Sequence, residues 1–311
     1  MNGKKSNLIQ GSMVAIVTPF NADGSVDFGA FGELIRFHRE YGTSALFFLG
    51  VAGESSVLTD EEHKQIIEET VKLRPAGMPF FYGCTGINTN DTIRKVKVAE
   101  SGGADGAMIT VPANVGPDLD QAEEFFLTVA NHTSLQLGTF NNPARLLTDL
   151  QTEQLLRIFQ HPNYVLHKEG TARTGQIAQI LRAKPPISFL GDDCPDPDIL
   201  ATSMALGAHG ICNATGNLAP AEMVVLSTPW NGPNDIATFR ELYFKMLPLI
   251  TFLYSARSPI AIKSLMEAIG LPAGKPRLPL RSLRQEVVQR AVEMLAGIGL
   301  ISKYGYSRPD V

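Results

Sequence analysis

The chain has 311 residues, 44% of them hydrophobic and 19% charged, with Lys+Arg 27 against Asp+Glu 31 and a net charge of -4. This composition excludes a disordered or collagenous chain, and the slight acidic excess offers no basic surface to a nucleic-acid backbone or an anionic membrane. At this length roughly three quarters of the unfolded chain's surface can be buried, so a large core with a small-molecule site is expected.

From the N-terminus, MNGKKSNLIQ carries lysines with no apolar stretch directly behind them, so no signal peptide is expected. Apolar runs rich in strand formers then recur at residues 13–17, 45–49, 80–82, 107–111, 135–140, 164–166, 187–190 and 209–212. Between them lie segments with helical spacing, such as Phe31, Leu34, Ile35 and His38, or Ile66, Ile67 and Val71. Thr59 with Glu62, and Thr148 with Gln151, have the spacing of capping boxes and predict helix starts. Eight strand and helix units predict an α/β fold of the (β/α)8 TIM barrel type with a C-terminal helical extension. The rival open sheet is disfavoured because the first strand leads into Thr18, Pro19 and Phe20, without a GxGxxG turn.

After residue 217 the pattern is helical, at 221–226, 236–253, 260–269 and 287–295, with a hinge-like Pro/Gly-rich loop at 271–279. Residues 1–217 are therefore read as the barrel core, and 218–311 as the last barrel helix with added C-terminal helices. No apolar run approaches the roughly 20 residues of a membrane span. Cys84, Cys194 and Cys212 are too scattered for a disulfide framework or a CxxC metal site, so no metal and no cofactor are expected, and the location is read as cytoplasmic.

In such a barrel the chemistry sits where the strands end. The second strand ends in residues 50–55 (GVAGES), the fifth in 140–145 (FNNPAR), the sixth in His167, Lys168 and Glu169, and the seventh in Gly191, Asp192 and Asp193. An amine closing a buried strand can be desolvated to a lower pKa and attack a carbonyl to form a Schiff base, which singles out Lys168. The plain alternative is a lysine that leaves the core and reaches water.

Taken in order, these strand ends resemble the dihydrodipicolinate synthase/N-acetylneuraminate lyase family of class I aldolases, from about Gly11 to Leu300. The markers are Val17 to Phe20, Gly53-Glu54-Ser55 with Leu58 to His63, Gly83 to Asn88, Asn141 to Arg145, Lys168-Glu169, Gly191-Asp192-Asp193, Gly207 to Asn217, Ser258 to Lys263 and Arg277-Leu278-Pro279. The resemblance implies a (β/α)8 barrel whose Lys168 forms a Schiff base with pyruvate or another 2-keto acid, in a homotetramer or its constituent homodimer. It places Arg145 where a second substrate's carboxylate would bind. Gly191 and Ile211 fall where the pocket floor offers backbone groups, or where strand ends simply pack tightly.

The chain departs from the family where hydroxyls are usual. Val51 and Ala52 stand in place of two threonines, Phe140 in place of the tyrosine beside the lysine, and Asn114 near a second tyrosine. Val51 and Ala52 retain only backbone N–H groups for a carboxylate. General acid–base help is worth roughly 10²- to 10⁴-fold, so ordinary synthase chemistry should be slowed. His167, Asp192, Asp193 and Glu54 are the nearby groups that could supply a proton. His167 should face away from Lys168, as its strand neighbour, and Glu54 is read chiefly as holding its turn together. Ala113 and Thr92 stand where synthase members bind regulatory lysine through a tyrosine and a glutamate, so no lysine binding is expected, although His63 and Asn88 remain.

The leading reading is a carbon-carbon or carbon-oxygen lyase acting on pyruvate, a related 2-keto acid or a small carbonyl compound, with substrate-supplied or water-mediated proton transfer. The alternatives are a non-catalytic barrel that binds a metabolite or protein partner, and a weak dihydrodipicolinate synthase.

Overall fold

A computed structural model describes residues 9–171, 173–196 and 198–307. The segment read for a leader, residues 1–8, lies outside the described residues. Eight parallel strands form a closed barrel in chain order: β1 (Gly11–Ala15), β2 (Ala45–Phe48), β3 (Phe80–Gly83), β4 (Gly106–Ile109), β5 (Gln136–Asn141), β6 (Tyr164–Glu169), β7 (Ser188–Gly191) and β8 (Gly210–Asn213). The intervening helices are α1 (Phe28–Glu40), α2 (Asp60–Lys72), α3 (Thr89–Ser101), α4 (Leu119–Asn131), α5 (Thr152–Ile158), α6 (Thr174–Ala183) and α7 (Ile199–Ala205). The chain continues through α8 (Pro220–Leu226), α9 (Pro233–Tyr254), α10 (Ile260–Ala268), α11 (Gln285–Gly297) and α12 (Leu300–Tyr304).

Strands buried on both faces explain the near-continuous apolar runs in the sequence. Met13, Ala15, Ala45, Phe47, Phe81, Met108, Phe140, Leu166, Leu190 and Cys212 fill the barrel interior. The alternate positions, such as Val14, Leu46, Phe48, Tyr82, Phe189 and Ile211, pack outward against the helices. Large interior side chains are matched by gaps: a Cβ at Gly138 would lie 2.3 Å from Met108 Sδ.

The first strand ends sooner than its apolar run. The Val17 N–H leaves the ladder and donates to Asn217 Oδ1, at 3.1 Å, so a side chain terminates the strand. The sixth runs three residues further than its apolar stretch, which puts Lys168 inside the sheet, paired with Phe140 on one side and Leu190 on the other.

Thr59 and Glu62 form the expected reciprocal cap of α2. Thr148 does not cap a helix. Its hydroxyl donates to the Pro117 carbonyl at 2.5 Å, and α5 starts only after Gln151, which makes no side-chain cap. Residues 271–279 form a loop, but one tied to the barrel mouth rather than hinge-like. The Phe20 N–H donates to the Ala273 carbonyl, the Lys275 carbonyl accepts from Lys263, and the Arg277 guanidinium pairs with Glu62 while donating to the Gly24 and Val57 carbonyls. The sequence reading also missed α12, whose Tyr304 hydroxyl hydrogen-bonds to Glu222 Oε2, at 2.5 Å, on α8. Among the described residues no helix is long and apolar enough to cross a membrane.

Candidate active site

Alternation along β6 sends Leu166 and Lys168 into the barrel and His167 and Glu169 outward. His167 hydrogen-bonds to Thr139 Oγ1 at 2.7 Å and to Glu169 Oε2 at 3.2 Å, and its ring packs between Phe159 and Phe189. It is a structural histidine on the far side of the sheet from Lys168.

Lys168 is 6% exposed, with Nζ 3.0 Å from Asp192 Oδ2 and 4.6 Å from the centre of the Phe140 ring. Burial by itself would lower its pKa, as the sequence reading assumed. Asp192, Cys212 and Asp193 together outweigh the burial, and the ammonium is held well above its ordinary value. The resting lysine is therefore a charged, ion-paired group. Cys212 faces it from β8, and burial pushes that thiol up to about 12.

Asp193 is a buried anchor. It accepts from the Ala214 and Thr215 N–H groups at 3.0 and 2.8 Å and from the Thr215 hydroxyl at 2.6 Å. Burial and the charge of Asp192 raise its pKa. Across the two carboxylates lies Tyr254, at the end of α9, its hydroxyl 2.9 Å from Asp192 Oδ1 and 2.5 Å from Asp193 Oδ1.

Ala52, buried in the turn after β2, joins Phe47 and Phe140 in the interior cluster, whereas Val51 is 37% exposed and lies outside it. Glu54, in the left-handed conformation at φ 55, holds this turn as expected. It pairs with Lys263 Nζ at 2.8 Å and accepts from the Arg277 N–H at 2.8 Å. Arg145 is exposed on the loop after β5; desolvation of its guanidinium and then the nearby charge of Arg257 lower its pKa, while Asp192 and Tyr254 act in the opposite direction.

Gly191 and Ile211 face each other across β7 and β8, but the Ile211 side chain points into the helix layer and not at the pocket floor. A Cβ on Gly191 would also point outward, 2.4 Å from Ser203 Oγ. Only the backbone of either residue is available to a ligand in the barrel. The inward side chains at this level are Leu190 and Cys212.

At the positions matched to a lysine site, Thr92, Asn88 and His63 hydrogen-bond to nearby backbone groups. Thr92 is buried, its hydroxyl bonded to the Asn88 carbonyl and the Gly86 N–H; Asn88 caps α3 and His63 bonds to the Ser55 carbonyl. Ala113 and Asn114 are exposed, the latter at φ 64.

The sequence matches the Dihydrodipicolinate synthetase family over residues 8–297. The chain belongs to this family. The 4-hydroxy-tetrahydrodipicolinate synthase of Thermodesulfovibrio yellowstonii is 33% identical over 296 residues, covering 94% of this chain and all (100%) of that one. The crystal structure of dihydrodipicolinate synthase from Aquifex aeolicus superposes with a TM-score of 0.86 at 31% identity, covering 94% of this chain and 98% of that one. That of the Acinetobacter baumannii enzyme, complexed with pyruvate, has a TM-score of 0.86 at 30% identity over 94% and 100% of the two chains.

Within the dihydrodipicolinate synthetase family fold, Cys212 beside Lys168 and Tyr254 beside Asp192 escaped the sequence reading as site residues. Cys212 was one residue from a residue that was named, and strand alternation against the inward Met13, its ladder partner, identifies it. Tyr254 had no such signal, because only the three-dimensional path of α9 brings a helix end to the barrel mouth.

Proposed function

We propose that this lyase of the class I aldolase type forms a Schiff base through Lys168 with pyruvate or a related 2-keto acid, and makes or breaks a bond at the adjacent carbon. The observation that carries this reading is the placement of Lys168 Nζ inside the barrel, against Phe140 and in contact with Asp192. A protonated imine is an electron sink, so a proton or a carbon substituent next to it can leave its electron pair behind as an enamine. The aromatic ring of Phe140 shields one side of the amine, and the turn carrying Ala52 leaves backbone N–H groups for the keto acid's carboxylate. Arg145, at the rim, suits a second carboxylate because its guanidinium fork matches two oxygens. Pyruvate in the Acinetobacter baumannii relative supports the choice of substrate class.

Enamine formation is read directly by proton NMR of pyruvate in deuterated water. The enzyme should exchange the methyl hydrogens of pyruvate well above the buffer rate. Exchange at the buffer rate would remove the enamine and favour a barrel that only binds its ligand.

We also assign the exposed apolar loop tips at the mouth to a subunit interface. Ile87 is 78% exposed, Leu147 73% and Val115 58%, on the loops after β3, β5 and β4. Such side chains favour a symmetric contact between copies of the chain. Light scattering at micromolar concentration should give a dimer or tetramer; a monomer would refute the assignment.

A further inference from the structure

We infer that Asp192 is the proton carrier for Schiff-base formation at Lys168 and that Tyr254 is the positioning residue that makes it one, so that proton handling sits on the β7 and α9 side of the amine. This deepens the proposed function and rests on Lys168 forming an imine.

The geometry is a line of three groups. Asp192 Oδ2 is 3.0 Å from Lys168 Nζ, while Oδ1 of the same carboxylate lies 2.9 Å from the Tyr254 hydroxyl. The phenol has a single proton and faces two carboxylates, since Asp193 Oδ1 is 2.5 Å away. Asp193 is fixed by three donors from residues 214 and 215, so it cannot follow the lysine; among the described residues Asp192 has no backbone donor, and it touches the reacting nitrogen. On the opposite side the ladder partner of Lys168 is Phe140, which carries no proton. Among the described residues the other groups near Asp192 are the thiols Cys212 and Cys194, both with raised pKa values, and Arg145 at the rim.

The reaction balances with Asp192 as a carrier. One proton passes from the ammonium to Asp192 Oδ2, and the freed lone pair attacks the keto carbon while the carbonyl π pair moves to oxygen. That oxygen takes the proton from Asp192, giving a carbinolamine. A second N–H proton then reaches the hydroxyl through the same carboxylate. Water leaves with the C–O pair, and the nitrogen lone pair closes the iminium. Both protons lost by nitrogen are on the water released, and Asp192 ends as it began. Throughout, the single Tyr254 O–H can donate to either carboxylate: to Asp192 when it is ionised, and to Asp193, whose own state does not change, when Asp192 holds the proton. The phenol need not ionise, which agrees with its pKa being raised well above the ordinary value by burial and by Asp192 and Asp193.

The test is the rate of imine formation with pyruvate, followed by rapid mixing and borohydride quenching, in ordinary and deuterated water. Tyr254→Phe should form the adduct about tenfold more slowly, with an altered solvent isotope effect and an unchanged final yield. Asp192→Asn should be slower by about a hundredfold, within the range for a lost acid–base group, and Asp192→Glu should recover part of the rate. Circular dichroism of each variant should match the parent. Wild-type rates and isotope effects in both Tyr254→Phe and Asp192→Asn would overturn the assignment. An adduct that fails to form even in the parent protein would remove the Schiff-base reading and the carrier together, whereas parent adduct with unchanged variants sinks only the carrier.

Discussion

Replacing Lys168 with alanine should reduce pyruvate methyl exchange to the buffer rate, a loss of at least about 10⁴-fold if the amine is the covalent nucleophile. No neighbour can take its place. The other side chains in the interior cluster near it are Phe140, Leu166, Leu190 and Cys212, and the thiol is held neutral by burial. The second buried lysine, Lys263, donates to the Thr18 and Lys275 carbonyls and pairs with Glu54, so it is fully engaged away from the barrel interior. The variant should still fold. Asp192 loses its cation but keeps Tyr254, and the barrel rests on apolar layers that the substitution leaves in place. Retained exchange in a folded Lys168→Ala protein would show that another group carries the chemistry.

Synthase activity with pyruvate and aspartate semialdehyde should lie at least about a hundredfold below that of an ordinary family member. The three positions concerned are Val51, Ala52 and Phe140, and the structure brings only the last two into the interior cluster. Phe140 lies directly against Lys168 Nζ, so a hydroxyl placed at position 140 would stand beside the amine. Asp192, which contacts the nitrogen, and Tyr254 behind it come from the β7 and α9 side, so on the proposed roles a second substrate's oxygen would lack an acid near position 140. In a coupled reductase assay, the combined variant Val51→Thr, Ala52→Thr and Phe140→Tyr should gain about tenfold or more. Ordinary turnover by the unmodified chain would show that the hydroxyls matter less than argued. No gain in the folded triple variant would mean that the pocket is shaped for a different partner.

The barrel was legible because its strands are buried on both faces and its helices on one, which writes two different periods into the sequence. That Lys168 stands near the end of a buried strand was legible from the apolar run before it. Its charge state was not, because the deciding carboxylate, Asp192, directly follows the next strand and only the fold sets the 3.0 Å separation. Ile211 shows what a position in a strand decides: its side chain lies in the helix layer, which leaves its backbone to the barrel, while the next residue, Cys212, points inward. Thr148 with Gln151 had the spacing of a cap, yet the threonine hydroxyl found the Pro117 carbonyl 31 positions away. Likewise the Pro/Gly composition of residues 271–279 says that the chain turns there, but not that Glu54 and Glu62 will hold it.

Peptide mapping by mass spectrometry after borohydride reduction with pyruvate, and with a panel of other 2-keto acids, locates the covalent nucleophile. One reduced adduct per chain is expected, dependent on the keto acid and located on Lys168. The absence of an adduct with every keto acid, or its location on another lysine, would contradict that assignment.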